Sequence, residues 1–140
     1  MAHLVIQYSA NLDHKVDMPA LCEELCSVMA DTGIFPLGGV RVRAFGAEAY
    51  AVADGDPKNA FADLVLRMGA GRSPEDKKGA GEAILAAAKA HFSALLAEPH
   101  FALSLEIVEI DPVLSWKINS IHPRLKQGDR NKSGQTHGRL

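Results

Sequence analysis

The chain has 140 residues, of which 47% are apolar, and its 15 Lys and Arg side chains against 17 Asp and Glu give a formal charge of −2. A chain of this length typically forms one domain and buries a hydrophobic core without disulfide bonds. The composition excludes a wholly disordered chain, and the near-neutral charge argues against a dedicated nucleic-acid-binding protein, which usually carries a large basic excess.

The first half of the chain has the pattern strand, helix, strand. Residues 4–8 form a short apolar run with β-branched side chains, which is typical of a buried strand. Asp17 can cap a helix that tolerates Pro19 in its first turn, and Gly33 can end that helix. Residues 40–45 then alternate in polarity as a strand does. These elements predict one β-α-β unit.

The N-terminus and the two cysteines indicate the cellular compartment. The N-terminal apolar run has no basic leader and is shorter than the ~18 residues that a membrane-spanning helix needs. Cys22 and Cys26 lie four residues apart on the predicted helix, and no further ligands are spaced to complete a metal site with them. We expect a cytoplasmic protein whose thiols are small buried side chains, with no metal, cofactor or membrane partner.

The second half of the chain repeats the order of the first half. Residues 61–68 predict a strand and residues 69–72 a glycine turn. Ser73 is a good helix cap, and apolar positions at helical spacing predict a helix that stops before Pro99. Residues 102–110 predict the last strand. This half therefore predicts a second β-α-β unit.

The C-terminal residues differ in composition from the rest of the chain. Residues 126–140 carry four basic side chains against one acid, hence +3, and the total of −2 leaves −5 for residues 1–125. Large apolar residues are nearly absent from this stretch, so burial cannot offset the entropy cost of ordering it. We predict a folded domain over residues 1–125 and a disordered basic tail over residues 126–140.

The two β-α-β units together predict the architecture. A helix between two strands is what a parallel crossover requires. Two such units predict an α+β fold, with a four-stranded sheet that carries both helices on one face. The opposite face of the sheet needs a cover, and an oligomer supplies one most simply.

Two arginines lie close together on a predicted strand. Arg41 and Arg43 are two residues apart, so their side chains share one face of the sheet. Each guanidinium can bind a carboxylate through paired hydrogen bonds, and neighbouring guanidiniums repel each other unless anions meet them. The spacing leaves two alternatives open: surface salt bridges with the chain's own acids, or an anionic ligand.

A third arginine follows the glycine turn. Arg72 comes after Gly69 and Gly71, where the predicted strand leads into the start of a helix. The free N–H groups and positive dipole at a helix start attract anions. The P-loop pattern and the dinucleotide-binding pattern are both absent. The segment is either an anion site or simply a tight strand-to-helix connection.

Six motifs in a fixed order carry a family signature. They are HLVI at 3–6 with Ser9 and Asn11, TGIFPLGGVRVR at 32–43, ADG at 53–55, GAGRS at 69–73, HFSAL at 91–95 and LSLEI at 103–107. Over roughly residues 2–125 the chain resembles the 5-carboxymethyl-2-hydroxymuconate isomerases, a branch of the tautomerase superfamily. TGIFPL and GAGRS at this separation are specific to that branch. The last fifteen residues lie outside the resemblance.

The resemblance implies a tautomerase-like domain of two β-α-β units, assembled as a homotrimer. It also implies a reaction, the tautomerisation of an unsaturated dienol tricarboxylate in homoprotocatechuate degradation, without metal or cofactor. A proton leaves the 2-hydroxyl side and returns to a carbon further along the conjugated system, as a 1,3- or 1,5-shift. The family's acid and base is the amine of an N-terminal proline, which removal of the initiator methionine exposes.

The resemblance also implies roles for individual side chains. Arg41 and Arg72 match by position the arginines that hold substrate carboxylates and stabilise the developing oxyanion. Arg43 and Gly71 are expected to contribute to substrate binding. Trp116 lies where the family often has an aromatic residue and is expected to form part of the apolar wall of the pocket.

Position 2 departs from the family pattern, because it is Ala2 and not proline. An α-amine has an ordinary pKa of ~7.7–8.0, and nearby arginines and burial lower it. The Ala2 amine can therefore still abstract a proton once Met1 is removed, although it lacks the orienting ring of proline. Three alternatives stay open: an isomerase of reduced efficiency, a weakened protein that binds small dicarboxylates or serves as a structural trimer, and a sequence altered at the proline codon.

Overall fold

The computed structural model describes residues 1–131 and the side chains of residues 1–126. Its strands are β1 (Ala2–Ser9), β2 (Val40–Ala47), β3 (Ala60–Gly69) and β4 (Phe101–Ile110). Its helices are α1 (Met18–Asp31), α2 (Pro74–His91), α3 (Ser93–Leu96) and α4 (Ile121–Asn131), with short 3₁₀ turns at Ala10–Leu12 and Leu37–Gly39. The predicted order, strand–helix–strand in each half, is confirmed.

The four strands form one mixed sheet in the order β2-β1-β3-β4. β1 pairs with β2 in parallel, and β3 pairs with β4 in parallel. The first strands of the two halves, β1 and β3, pair antiparallel in the centre. The sheet therefore joins two β-α-β units edge to edge, which confirms the predicted α+β architecture.

Alternate residues of the central strands form the core beneath the helices. Leu4 and Ile6 of β1, and Leu64 and Leu66 of β3, are completely buried. The helices meet this face with the buried side chains Leu21, Leu25, Met29, Ile84 and Ala88. Burying a side chain such as Leu or Ile stabilises the fold by ~1.5–3 kcal/mol. Since these residues face one side of the sheet, α1 and α2 both pack there.

Local side-chain chemistry determines where the helices begin and end. The Asp17 carboxylate accepts a hydrogen bond from the Ala20 N–H at 3.0 Å, and the Ser73 hydroxyl accepts one from the Asp76 N–H at 3.1 Å. Gly33 follows α1 with a φ of 78°, a conformation that glycine adopts without strain. The predicted caps of both helices are confirmed.

The second helix ends earlier than predicted. α2 stops at His91, and a separate short helix follows it, so the expectation of one helix up to Pro99 was wrong. The cause is Phe92, which leaves the helical conformation at φ −97° and is fully buried. Its ring packs against Phe101 with the ring centroids 5.0 Å apart. The break between α2 and α3 thus coincides with the burial of this aromatic ring.

The other side of the sheet, the open sheet face, is not covered by any element of residues 1–131. Strand alternation and the register place on it the side chains His3, Val5, Gln7, Arg41, Arg43, Phe45, Asp63, Val65, Arg67, Ser104, Glu106 and Val108. Phe45 is 56% exposed and Val108 is 39% exposed. The single chain thus leaves a mixed apolar and charged surface open to water.

A helix, α4, extends into the segment that was predicted as a tail. Asn119 caps α4, because its side-chain oxygen accepts hydrogen bonds from the N–H groups of Ile121 at 2.8 Å and His122 at 3.2 Å. A helix nucleated in this way propagates readily, and α4 runs to Asn131. Residues 126–131 of the predicted tail are therefore helical, and residues 132–140 lie outside the described residues. None of the helices within residues 1–131 is long and apolar enough to cross a membrane.

Candidate active site

The N-terminus lies at one end of the sheet, between two turns. Ala2 pairs with Val40 at the start of β2 and with Met68 near the end of β3. Met1 is therefore flanked by the turn Leu37–Gly39 and by the loop that leads from β3 into α2. The topology brings together the N-terminal amine and the two segments that carry Arg41 and Arg72.

Arg72 is held by backbone carbonyl groups. Its Nε and Nη2 donate to the Ile34 carbonyl at 3.1 and 2.8 Å, and its Nη1 donates to the Gly69 carbonyl at 3.1 Å. The guanidinium carbon lies 5.1 Å from the centroid of the Phe35 ring, a cation–π contact. Gly71 has a φ of 105°, which allows the tight turn. The arginine is thus fixed in position before any ligand binds.

The charge of Arg72 is not neutralised by the part of the chain whose side chains are described. Within residues 1–126, no carboxylate forms an ion pair with Arg72 or with Arg41. Arg41 donates through Nη1 to the Gly38 carbonyl at 3.3 Å. Neutral carbonyl groups orient these guanidiniums and leave their charge available to an anion.

Arg43 has a different environment. Its Nη1 lies 3.2 Å from the Nδ1 of His3 on the open sheet face. Burial, followed by the charges of Arg67, Arg43, Arg41 and the N-terminus, lowers the pKa of His3. A neutral imidazole can accept a hydrogen bond from the guanidinium. The structure therefore brings Arg43 to His3, and it brings Arg41 and Arg72 to the amine.

The N-terminal amine of Met1 is the basic group at the centre of this region. Burial is the largest cause that lowers its pKa below the ordinary 8.0, followed by the positive charges of Lys117, Arg72 and Arg41. All four causes disfavour the ammonium form. A larger fraction of the amine is therefore unprotonated at neutral pH than in a free peptide, as a general base requires.

Ala2 lies directly beside this position. Its side chain is 1% exposed and points to the helix-facing side of the sheet, together with Leu4. The methyl group is therefore part of the core, and the backbone nitrogen of Ala2 lies at the start of β1. Removal of Met1 would leave the free amine on this nitrogen.

Trp116 follows β4 and is exposed in a single chain. It is 85% exposed and lies in the extended segment between β4 and α4. Its expected place in an apolar wall stays a prediction. The next residue, Lys117, acts on the N-terminal amine. No motif in the sequence marks this lysine.

The turn Leu37–Gly39 is packed closely by α4. The Gly38 carbonyl accepts a hydrogen bond from the Asn119 side chain at 2.9 Å. A Cβ on Gly38 would lie 2.7 Å from the Nδ1 of His122 and 3.0 Å from its Cα, so only glycine fits there. A Cβ on Gly39 would lie 3.4 Å from both His122 Nε2 and the Met1 Cα. The C-terminal segment thus reaches the N-terminus.

The two cysteines lie on α1, away from this region. Both are free and half-buried. Burial, followed by the neighbouring Cys26, raises the pKa of the Cys22 thiol. Among the residues that the structure describes, no group of three or more His, Cys, Asp and Glu side chains could hold a metal ion.

Comparison with known proteins gives one consistent family. Residues 2–125 match the family profile described as 5-carboxymethyl-2-hydroxymuconate isomerase. The chain is 38% identical over 126 residues to the 5-carboxymethyl-2-hydroxymuconate Delta-isomerase of Escherichia coli, covering 90% of this chain and 100% of that protein. These matches cover both β-α-β units and the segment beyond β4.

Solved structures agree with the sequence relatives. A 5-carboxymethyl-2-hydroxymuconate isomerase from Deinococcus radiodurans R1 superimposes with a TM-score of 0.82 at 42% identity, over 88% of this chain and 92% of that one. A fused 4-OT symmetric trimer superimposes with a TM-score of 0.61 at 18% identity, over 83% of this chain and 93% of that one, and shares the fold. The profile match and the 38% identity over the whole length of the relative establish that this chain belongs to the 5-carboxymethyl-2-hydroxymuconate isomerase family.

Proposed function

We propose that the protein isomerises 5-carboxymethyl-2-hydroxymuconate, or a dienol tricarboxylate of the same class, in the breakdown of homoprotocatechuate. The observation that carries this proposal is the position of the N-terminus at the end of the sheet where β2 begins with Arg41 nearby and β3 leads to Arg72, two cations whose charges no carboxylate within residues 1–126 neutralises. A base next to uncompensated cations suits a substrate that is acidic at its hydroxyl group and anionic at its carboxylates.

The reaction needs only proton transfer. Arg41 and Arg72 bind substrate carboxylates, and the unprotonated amine takes the proton of the 2-hydroxyl group. The resulting dienolate spreads its negative charge along the conjugated chain and is stabilised at its oxygen by a guanidinium. The ammonium then gives the proton to the far carbon of the system, which forms the 2-oxo product and restores the amine. A positioned base contributes ~10²–10⁴ in rate, and each oxyanion donor ~10²–10³.

The amine that serves in this mechanism is that of Ala2, after loss of Met1. The small, buried Ala2 side chain holds the start of β1 in the sheet. Its primary amine has freer rotation than the ring nitrogen of proline, so the lone pair is less firmly oriented. We therefore expect a slower enzyme than a variant with proline at this position.

The active form is proposed to be a cytoplasmic homotrimer with a small unsaturated carboxylate as its ligand. This is supported by the open sheet face, which leaves Phe45 and Val108 exposed in a single chain. The fused 4-OT protein of the same fold is described as a symmetric trimer. Burial of the open sheet face against other copies would cover this apolar surface.

The alternative is a catalytically weakened protein that binds small dicarboxylates or serves as a structural trimer. Ala2 favours this alternative, because it replaces the residue on which the family's chemistry depends. The isomerase and the binding protein would use the same arginines to hold carboxylates, and only the isomerase would convert its ligand.

The deciding experiment combines intact mass with activity. Mass spectrometry reports whether Met1 is removed, and the ultraviolet absorbance of the dienol reports its ketonisation. We expect the native protein to accelerate ketonisation and Ala2→Pro to accelerate it further. If only Ala2→Pro is active, the native protein is a binder. If neither accelerates the reaction, the isomerase proposal is wrong.

A further inference from the structure

The segment between β4 and α4 is anchored at both ends. At its start, the Asp111 carboxylate accepts hydrogen bonds from the N–H groups of Val113 at 2.8 Å and Leu114 at 2.7 Å. At its end, the Asn119 side chain donates to the Gly38 carbonyl at 2.9 Å and also caps α4. The extended residues between these anchors, Lys117 among them, therefore have a defined course over the surface.

The second anchor connects this segment to the candidate active site. The Gly38 carbonyl that accepts from Asn119 also accepts from Nη1 of Arg41 at 3.3 Å. Two residues before Asn119, Lys117 lies close enough to the N-terminal amine to lower its pKa more than Arg72 or Arg41 does. Asn119 and Arg41 thus share one carbonyl acceptor, and the lysine lies two residues before Asn119 in the same anchored segment.

The charge of Lys117 lacks a partner among the described side chains. The ion pairs within residues 1–126 involve Lys77, Lys78, His91 and His100 and not this lysine. Lys117, Arg72 and Arg41 therefore all act electrostatically on the Met1 amine, and each of these charges makes the others less favourable until an anion arrives. A substrate with three carboxylates supplies as many negative charges as the site has cations.

We propose that Lys117 is a third substrate-binding residue of this site, which takes the carboxylate most distant from the reacting hydroxyl group and so selects tricarboxylates over dicarboxylates. This inference rests on the proposed function. Arg72 and Arg41 are fixed by backbone carbonyls, whereas the flexible four-carbon stem of a lysine can follow a carboxylate on a mobile side branch. The rigid arginines would therefore hold the carboxylates near the reacting atoms, and the flexible lysine would hold the carboxylate on the side branch.

The test compares Lys117→Met with Lys117→Arg, and uses Lys89→Met as a control that removes the same charge from an exposed position on α2. The substrates are the tricarboxylate dienol and the same dienol without its carboxymethyl group. A hydrogen bond between charged groups predicts a loss of about ten- to hundredfold in kcat/KM for the tricarboxylate in Lys117→Met. In Lys117→Met, kcat/KM for the shorter substrate should fall by less than about threefold, because this substrate has no third carboxylate for the lysine to bind. Lys117→Arg keeps the positive charge and should retain the preference for the tricarboxylate.

Two measurements do not depend on turnover. Calorimetric titration with propane-1,2,3-tricarboxylate and with glutarate should show that Lys117→Met weakens only the tricarboxylate. The N-terminal amine, followed by pH-dependent labelling and mass spectrometry, should have a higher pKa in Lys117→Met than in Lys89→Met. If the native chain is inactive yet these effects appear, the isomerase proposal fails and the Lys117 site stands. The Lys117 proposal would be overturned if Lys117→Met weakened the binding of both ligands equally. It would also be overturned if the ligand affinities and the amine pKa of Lys117→Met equalled those of Lys89→Met.

Discussion

Arg72 is held by three hydrogen bonds to two carbonyl groups and stacks on Phe35 before any ligand arrives. A side chain that is already oriented loses little entropy when it binds an anion, so it can stabilise a transition state strongly. Arg41 is held by a single such bond. At the scale of residues, the site consists of cations that the backbone orients and an amine whose pKa is lowered by burial and then by the charges of Lys117, Arg72 and Arg41.

Replacing Arg72 with alanine should lower kcat/KM for the dienol by about 10²–10³. Arg72→Lys should recover little of this loss, because an ammonium group cannot donate to the Ile34 and Gly69 carbonyls in the same planar arrangement. Steady-state kinetics by ultraviolet absorbance measures both variants. Native-like kinetics in Arg72→Ala would remove this arginine from the site.

The pKa of the Met1 amine is lowered, and we expect the same direction for the Ala2 amine, which loss of Met1 exposes one residue along at the same end of the sheet. The charged groups around the amine are Lys117, Arg72 and Arg41, and the His3 and His122 rings lie near. Because burial and these charges disfavour the ammonium, kcat/KM should rise with pH through a value below 8.0 and fall as the pH drops below it. Arg41→Gln should move this transition to higher pH. If the acid limb of the pH–rate profile reports a pKa equal to or higher than that of a free peptide amine, the N-terminal amine is not the base.

At the scale of elements, the segment after β4 completes the site. Asn119, His122 and the turn Leu37–Gly39 connect α4 to the beginnings of β1 and β2. The contact is close because Gly38 and Gly39 have no side chains, and both are buried.

Gly38→Ala should therefore destabilise the protein and disturb the site together. The added methyl would lie 2.7 Å from the Nδ1 and 3.0 Å from the Cα of His122, so α4 must move. We expect a loss of ~1–3 kcal/mol in the free energy of unfolding, with lower activity. Urea denaturation and kinetics measure the two effects.

The matched control is Gly79→Ala, in the interior of α2. Nothing lies within 4 Å of a Cβ at Gly79, and alanine in a helix interior is favoured over glycine by ~0.5–1 kcal/mol. This variant should be more stable than the native protein, with unchanged activity. A Gly38→Ala protein as stable as the native one would show that the α4 contact is not tight in solution.

At the scale of the whole molecule, one sheet face is covered by helices and the other is open. Val5 and Val65 are opposite each other in the β1–β3 register, at the centre of the open sheet face. Charged side chains surround them, with Arg43 beside Val5 and Glu106 beside Val65 in the register. Such a surface suits an interface with a small apolar centre and a charged margin.

Val65→Glu should convert the proposed trimer into monomers. A carboxylate at the centre of a buried interface would lose its hydration and would replace the apolar contact that valine makes. Light scattering on a sizing column, at several concentrations, measures the mass. Ala86→Glu, an equal charge change at an exposed position on α2, should leave the mass unaltered. A native protein that is monomeric at high concentration would end the trimer proposal.

The sequence was sufficient for the elements and for part of the site. Asp17, Ser73 and Gly33 act on neighbouring backbone, so their effects could be predicted locally and are confirmed. The break at Phe92 was missed, because it depends on packing against Phe101 from another element. The helix through residues 126–131 was missed as well, since composition alone does not reveal the cap at Asn119.

The sequence by itself determined the two β-α-β units and the glycine turn that carries Arg72, because periodicity and capping act over a few residues. Only the tertiary structure decided that Lys117 and His122 meet the N-terminus. The contact depends on a hydrogen bond between Asn119 and Gly38, which are 81 residues apart, and on a close approach that glycine alone permits. Neither feature produces a periodic pattern, so chain packing and not local preference brings these residues to the amine.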